Sequence, residues 1–192
     1  VYATLVPAGL LQTIAVWLAL AAPAAAQSPF EPVPIGPGAQ YQPPARWPLA
    51  GAAAFRGIHG DVRSGIRVHL ELFADRLVVV VPGGIGVSGG RTTRYGFVTA
   101  ALWHAPAWTT EAGGVIHLAR PGMRLGDVFS VWGEALGRDR LLTFTGRVRT
   151  FVNGTEVAGD PAAVELRDRD QVVVEVGGYV PPHPSFTFTP LS

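Results

Sequence analysis

Cysteine is absent from this sequence, and so is lysine: all fifteen basic residues are arginine. Without cysteine there can be no disulfide, no thiolate nucleophile and no cysteine-ligated zinc or iron–sulfur centre. Without lysine there can be no Schiff-base lysine and no phosphate-loop lysine. Charge of either sign is sparse. Charged residues make up 15% of the 192-residue chain, against about 25% in a typical soluble domain. The net charge of +1 supplies no field that would draw the chain to nucleic acid. What is abundant is glycine (24) and proline (17), which points to turns and linkers rather than long helices.

The longest apolar stretch, Leu5 to Ala22, reads LVPAGLLQTIAVWLALAA and carries no charge. Pro7, Gln12 and Thr13 interrupt it, and Ala24 and Ala26 supply the small residues that signal peptidase requires. The expectation is a signal peptide over residues 1–26, with export to the periplasm or the extracellular space. A membrane enters only if this segment is retained as an anchor. Residues 27–60 hold Pro29, Pro32, Pro34, Pro37, Pro43, Pro44 and Pro48, the composition of an extended linker.

From residue 61 to 180 the pattern is that of a folded domain. Val68, Leu70 and Leu72 alternate with His69, Glu71 and Phe73, which predicts a strand. After a turn at Ala74–Arg76, the unbroken run Leu77 to Val81 predicts a buried strand paired with the first. Residues 83–113 predict an irregular excursion: glycine-rich at first, then without clear period, and carrying Trp103, His104 and Trp108. Val115 to Leu118 predicts a short strand. Leu125, Val128, Phe129, Trp132 and Leu136 share one face of a helix, with Gly137 placed to end it. Arg147 to Val152 alternates again, and Asn153-Gly154 is a strong hairpin signal. Val164–Leu166, a turn at Arg167–Asp170 and Val172–Val176 predict a second hairpin. Residues 181–192 predict an extended tail along the surface.

Strand, strand, helix, strand, strand, strand resembles the β-grasp, or ubiquitin-like, fold: an α+β domain in which one helix crosses a mixed sheet. FVNGTEV and VELRDRDQVVVEVGG look like the closing strands of its small sulfur carriers. Those carriers end in a free Gly-Gly, whereas Gly177-Gly178 continues into Tyr179-Val180-Pro181, so sulfur carriage is not expected.

The blocks VHLELFADRLVVVVPGGIGV, GGVIHL, LGDVFSVWGEAL, FVNG, GDPAAVEL and PSFTF cover about Arg67 to Pro190. They resemble a family of exported bacterial and archaeal proteins that has no established activity. Members of that family read H-x-H-L at the first strand, L-H-T-H-D before the third and I-H-x-E within it. The resemblance implies a Zn²⁺ or Cu²⁺ site on adjacent strands, since imidazole and carboxylate suit both metals. Here the pattern is incomplete: His69 and His117 are kept and Glu111 stands for the aspartate. Arg67, Trp108, Thr110 and Ala119 stand where the family has His, His, His and Glu.

The candidate metal ligands are therefore His69 and His117, with Glu111 or His104 completing the set. The competing reading makes the histidines half-buried strand residues paired with nearby carboxylates. No G-x-S-x-G elbow surrounds a serine, and Gly83-Gly84-Ile85-Gly86 leads into no predicted helix, so neither a hydrolase triad nor a phosphate loop is expected. The function expected is a non-enzymatic exported binding domain, a degenerate member of a metal-binding pattern, engaging an exported protein or a small ligand through the excursion and the adjoining sheet face. The alternative is a Zn or Cu protein built on His69 and His117.

Overall fold

The computed structural model describes residue 62 and residues 65–88, 92–94 and 97–189; the expected signal peptide and the whole of the expected linker lie outside them. In chain order the strands are β1 (Ile66–Ala74), β2 (Leu77–Val79), β3 (Val87–Ser88), β4 (Thr92–Arg94), β5 (Phe97–Ala100), β6 (Trp103–His104) and β7 (Ala107–Thr109), then β8 (Val115–Leu118), β9 (Arg140–Leu141), β10 (Phe144–Thr145), β11 (Val148–Val152), β12 (Thr155–Val157) and β13 (Gln171–Val176). Among the described residues there is one α-helix, α1 (Leu125–Trp132), between β8 and β9. The fold is α+β: a mixed sheet with one helix packed against it.

The main sheet runs β12-β11-β13-β1-β8-β7, with β2 also paired to β1. At its centre β1 and β13 are parallel, from His69 opposite Gln171 to Ala74 opposite Val176. The other edge of β1 is shared. Its first half pairs with β8 and its second half with β2, both antiparallel. The apolar face carries Val68, Leu70 and Leu72 on β1 and Val172, Val174 and Val176 on β13. Against it α1 buries Leu125, Val128, Phe129, Val131 and Trp132. Asp127 fixes the helix start by accepting the Arg124 N–H (2.8 Å), and its charge suits the first turn.

The helix is shorter than its apolar spacing predicts. It ends at Trp132, not Leu136, because Gly133 takes the left-handed conformation (φ 80°) and donates its N–H to Phe129 O. Gly133 therefore plays the terminating part expected of Gly137. Leu136 instead faces Leu141 in an isolated bridge. The predicted buried strand also stops early, at Val79 rather than Val81.

The second hairpin is different from the one expected. Val164–Leu166 does not pair with β13; it docks at the start of α1, where Val164 O accepts the Leu125 N–H and the Leu166 N–H reaches Met123 O. The partners of β13 are β1 and β11. The Asn153-Gly154 turn forms as its residues dictate, with φ values of 51° and 79°. The excursion is more ordered than its composition suggests. It contains β3 to β7, and its inward side chains Val87, Val98 and Trp108 close around Val62 as a small separate core.

Trp132 is fully buried (0% exposed) in the helix–sheet layer. Trp132→Ala should cost about 3–5 kcal/mol of stability, the range for emptying a buried aromatic site. Urea unfolding of the two proteins measures the difference, and a loss below 1 kcal/mol (roughly the cost of a single methylene) would contradict the packing described.

Candidate functional site

The sheet face turned away from α1 holds the positions that the sequence singles out. On β1, Arg67 stands opposite His117 of β8, and His117 in turn stands opposite Trp108 of β7. His69, two residues beyond Arg67, stands opposite Val115. Residues two apart on a strand share a face, so Arg67, His69, Trp108 and His117 all project to the same side. The kept histidines lie on neighbouring strands, as diagonal neighbours, and Thr110 follows just beyond β7.

These residues are committed to packing and to structural hydrogen bonds. His69 Nε2 lies 2.9 Å from Gly113 O, and Nδ1 lies 2.7 Å from the Gln171 side-chain amide. A carbonyl can only accept, so Nε2 carries the proton. In the neutral ring Nδ1 then needs a donor; Gln171 is placed with Oε1 toward Nδ1 and its NH₂ unpartnered, and exchanging the two ends of the amide would supply that donor. Burial pushes the His69 pKa down, against the upward pull of Gln171, Glu71 and Gly113. The neutral imidazole is therefore the form the fold favours. Trp108 is buried and lies against two imidazoles, with ring centroids 3.7 Å from His104 and 5.3 Å from His117. Its indole N–H donates to Val62 O. His104 also contacts Ala105 O through Nδ1 (2.9 Å). Glu111 lies in the β7–β8 loop, half-buried, and desolvation raises its pKa.

The candidate ligands are thus partly brought together: His69 and His117 share a face, His104 joins them through Trp108, and Glu111 lies beside Gly113, whose carbonyl His69 contacts. Among the described residues no group of three or more His, Asp or Glu side chains is arranged to hold a metal ion.

The extended C-terminal tail expected from the sequence covers this face, which the sequence does not specify. The C-terminal segment from Tyr179 to Thr189 lies across it. The Val180 N–H donates to Glu175 Oε2 (2.8 Å). His183 Nδ1 contacts both Glu71 oxygens (2.9 and 3.0 Å). Phe186 stacks flat on His69 with centroids 3.6 Å apart and planes 7° apart. Phe188 lies under the Arg67 guanidinium, 5.4 Å away, and Arg67 Nη1 donates to Thr189 O (2.7 Å). Beside them Val180 closes over Phe73, Phe151 and Val173. Phe186 and Phe188, two apart, are the sequence signal for this strap, since an alternating aromatic pair suits an extended segment with one buried side.

Glu175 is the buried charge on this face. Its Oε1 lies 2.9 Å from Arg149 Nε, and Arg149 in turn lies over the Tyr179 ring at 4.9 Å. Desolvation raises the Glu175 pKa, and the Val180 N–H and Arg149 oppose that rise. No family model, no curated protein and no solved structure matches the chain.

Arg67 and Ala119 are the two altered positions of the pattern that can be changed without emptying the core, being half-buried and exposed respectively. The double substitution Arg67→His and Ala119→Glu would place a third imidazole opposite His117. It should raise Zn²⁺ or Cu²⁺ affinity by at least about tenfold, or ~1.4 kcal/mol. Calorimetric titration of both proteins checks this; equal affinities would mean that these positions never formed a metal site.

Proposed function

We propose that this chain is a non-enzymatic exported binding domain of the β-grasp type, whose metal-site positions have been turned over to packing. On this reading the domain engages a partner protein of its compartment through the outer side of the excursion. The β-grasp reading is supported by two hairpins flanking one helix, with the first and last strands parallel at the centre of the sheet. The non-enzymatic reading is supported by the uses of the polar groups. His69 holds Gln171 and Gly113, His183 holds Glu71, and the Thr109 hydroxyl bridges Pro82 O and the Ile85 N–H.

The observation that carries the interaction reading is the exposure of Phe97 (46%) and Leu102 (59%) on the excursion. Both stand outside a small core of Val62, Val87, Val98 and Trp108, so a firm base supports an apolar outer surface. Large side chains left in water beside an ordered hairpin suit a contact with another apolar surface.

A photoreactive residue placed at position 97, and a control at the exposed Ala163, test this in the native host. Position 97 should give one defined adduct and position 163 none. Leu102→Ser should lower the yield about tenfold or more, because burying a leucine contributes about 1.5–3 kcal/mol. Absence of an adduct at 97, or equal adducts at both positions, would contradict the proposal.

A further inference from the structure

At the far end of the sheet, remote in sequence from the excursion, Arg138, Arg147, Arg149, Glu156 and Gly159 help to line a concavity of about 450 Å³. It opens where β12 leaves its neighbour. β12 pairs with β11 only from Val152–Thr155 to Thr150–Val157. Beyond that point the segment at Arg138 takes its place, and the Val148 N–H donates to Arg138 O (2.9 Å). The concavity is thus a gap in the sheet edge between two chain segments. A Cβ built on Gly159 would meet nothing within 4 Å, so this wall faces open space.

Three arginine residues lining one small hollow are a concentrated charge in a chain whose net charge is only +1. Arg149 is held from behind by the Glu175 ion pair and by the Tyr179 ring. Arg138 and Arg147 are exposed. Guanidinium forks match the planar oxygens of carboxylates and the oxygens of phosphates. Glu156 adds one acceptor of opposite charge. The backbone adds others. In a two-residue hairpin the pair flanking the turn, Val152 and Thr155, exchanges hydrogen bonds, so the next residue on β12, Glu156, turns its N–H and C=O to the outer edge. A bare anion would use the arginines and be repelled by Glu156. A ligand with one oxyanion and several hydroxyl groups would use both.

We propose that this concavity binds a small hydroxylated oxyanion, such as a sugar acid or sugar phosphate. Arg138 and Arg147 hold the anionic group, and Glu156, with its outward backbone groups, accepts from and donates to the hydroxyls. This site is independent of the protein interface proposed above.

The test is calorimetric titration of the full chain at low salt with glucuronate, glucose 6-phosphate, glucose and inorganic phosphate. Saturable binding is expected for glucuronate or glucose 6-phosphate, and whichever binds more tightly distinguishes the carboxylate source from the phosphate source. Arg138→Gln with Arg147→Gln should weaken that binding at least about tenfold. Arg120→Gln, an exposed change outside the concavity, should leave it unchanged. Glu156→Gln should weaken the sugar ligand and strengthen inorganic phosphate. Thermal unfolding confirms that each variant folds. Three results would overturn the proposal: no saturable binding of either sugar ligand, an equal loss in Arg120→Gln, or sugar ligands that behave as inorganic phosphate does in Glu156→Gln.

Discussion

The parallel pairing of β1 with β13 is the constraint on which the rest of the structure depends. It joins residues about a hundred positions apart, His69 to Gln171 and Ala74 to Val176. Parallel neighbours at the centre of a sheet need cover on both faces. All six residues of β13 are accordingly buried, and eight of its neighbours on β1 and β11 are buried with them: His69, Leu70, Leu72, Phe73, Ala74, Val148, Thr150 and Phe151. One face is covered by α1, whose Phe129 and Trp132 meet Leu72 and Val172, Val174 and Val176 of β13 in a single core. Among the described residues no helix covers the other face. The C-terminal segment covers it instead, and this explains why a proline-rich stretch with no regular structure is fixed in place.

That second cover is made largely of polar and aromatic contacts, with a consequence for energetics. A sheet face closed by a helix can be wholly apolar. A face closed by an extended segment must also satisfy the backbone groups of that segment. Glu175 does this for Val180, and Arg67 for Thr189. The cost is a buried carboxylate, which Arg149 offsets. Removing Arg149 alone would leave that charge unpaired, so the ion pair stabilises the strap more by its completeness than by its own attraction. The same contact orients the one arginine that lines both the strap and the sheet-edge concavity.

Much of the local structure was legible because local rules decide it. Alternation gave β1 and β11, Asn153-Gly154 gave the turn between β11 and β12, and the apolar spacing from Leu125 to Trp132 gave α1. The errors came where a single backbone choice or a distant partner decides. Gly133 and Gly137 are both able to end a helix, and the sequence does not show which adopts positive φ. Val164–Leu166 has the composition of a strand, but its partners are Met123 and Leu125, which no local pattern reveals. At the site, the resembling blocks implied that His69 and His117 sit on adjacent strands, and β1 and β8 do pair. The strap over the face they share was hidden, because His183, Phe186 and Phe188 acquire meaning only when β1 is known to lie beneath them.

The central claim is that the β1–β13 pair is closed on one side by α1 and on the other by residues 179–189. The most direct measurement is amide hydrogen exchange of Val172 to Val176 in the full chain and in a chain ended at Gly178. Loss of the strap uncovers Phe73, Phe151, Val173 and the Glu175 carboxylate, and protection should fall by about a hundredfold or more, ~2.7 kcal/mol. Unchanged protection of these amides in the shortened chain would show that the sheet stands without the strap, and would contradict the account.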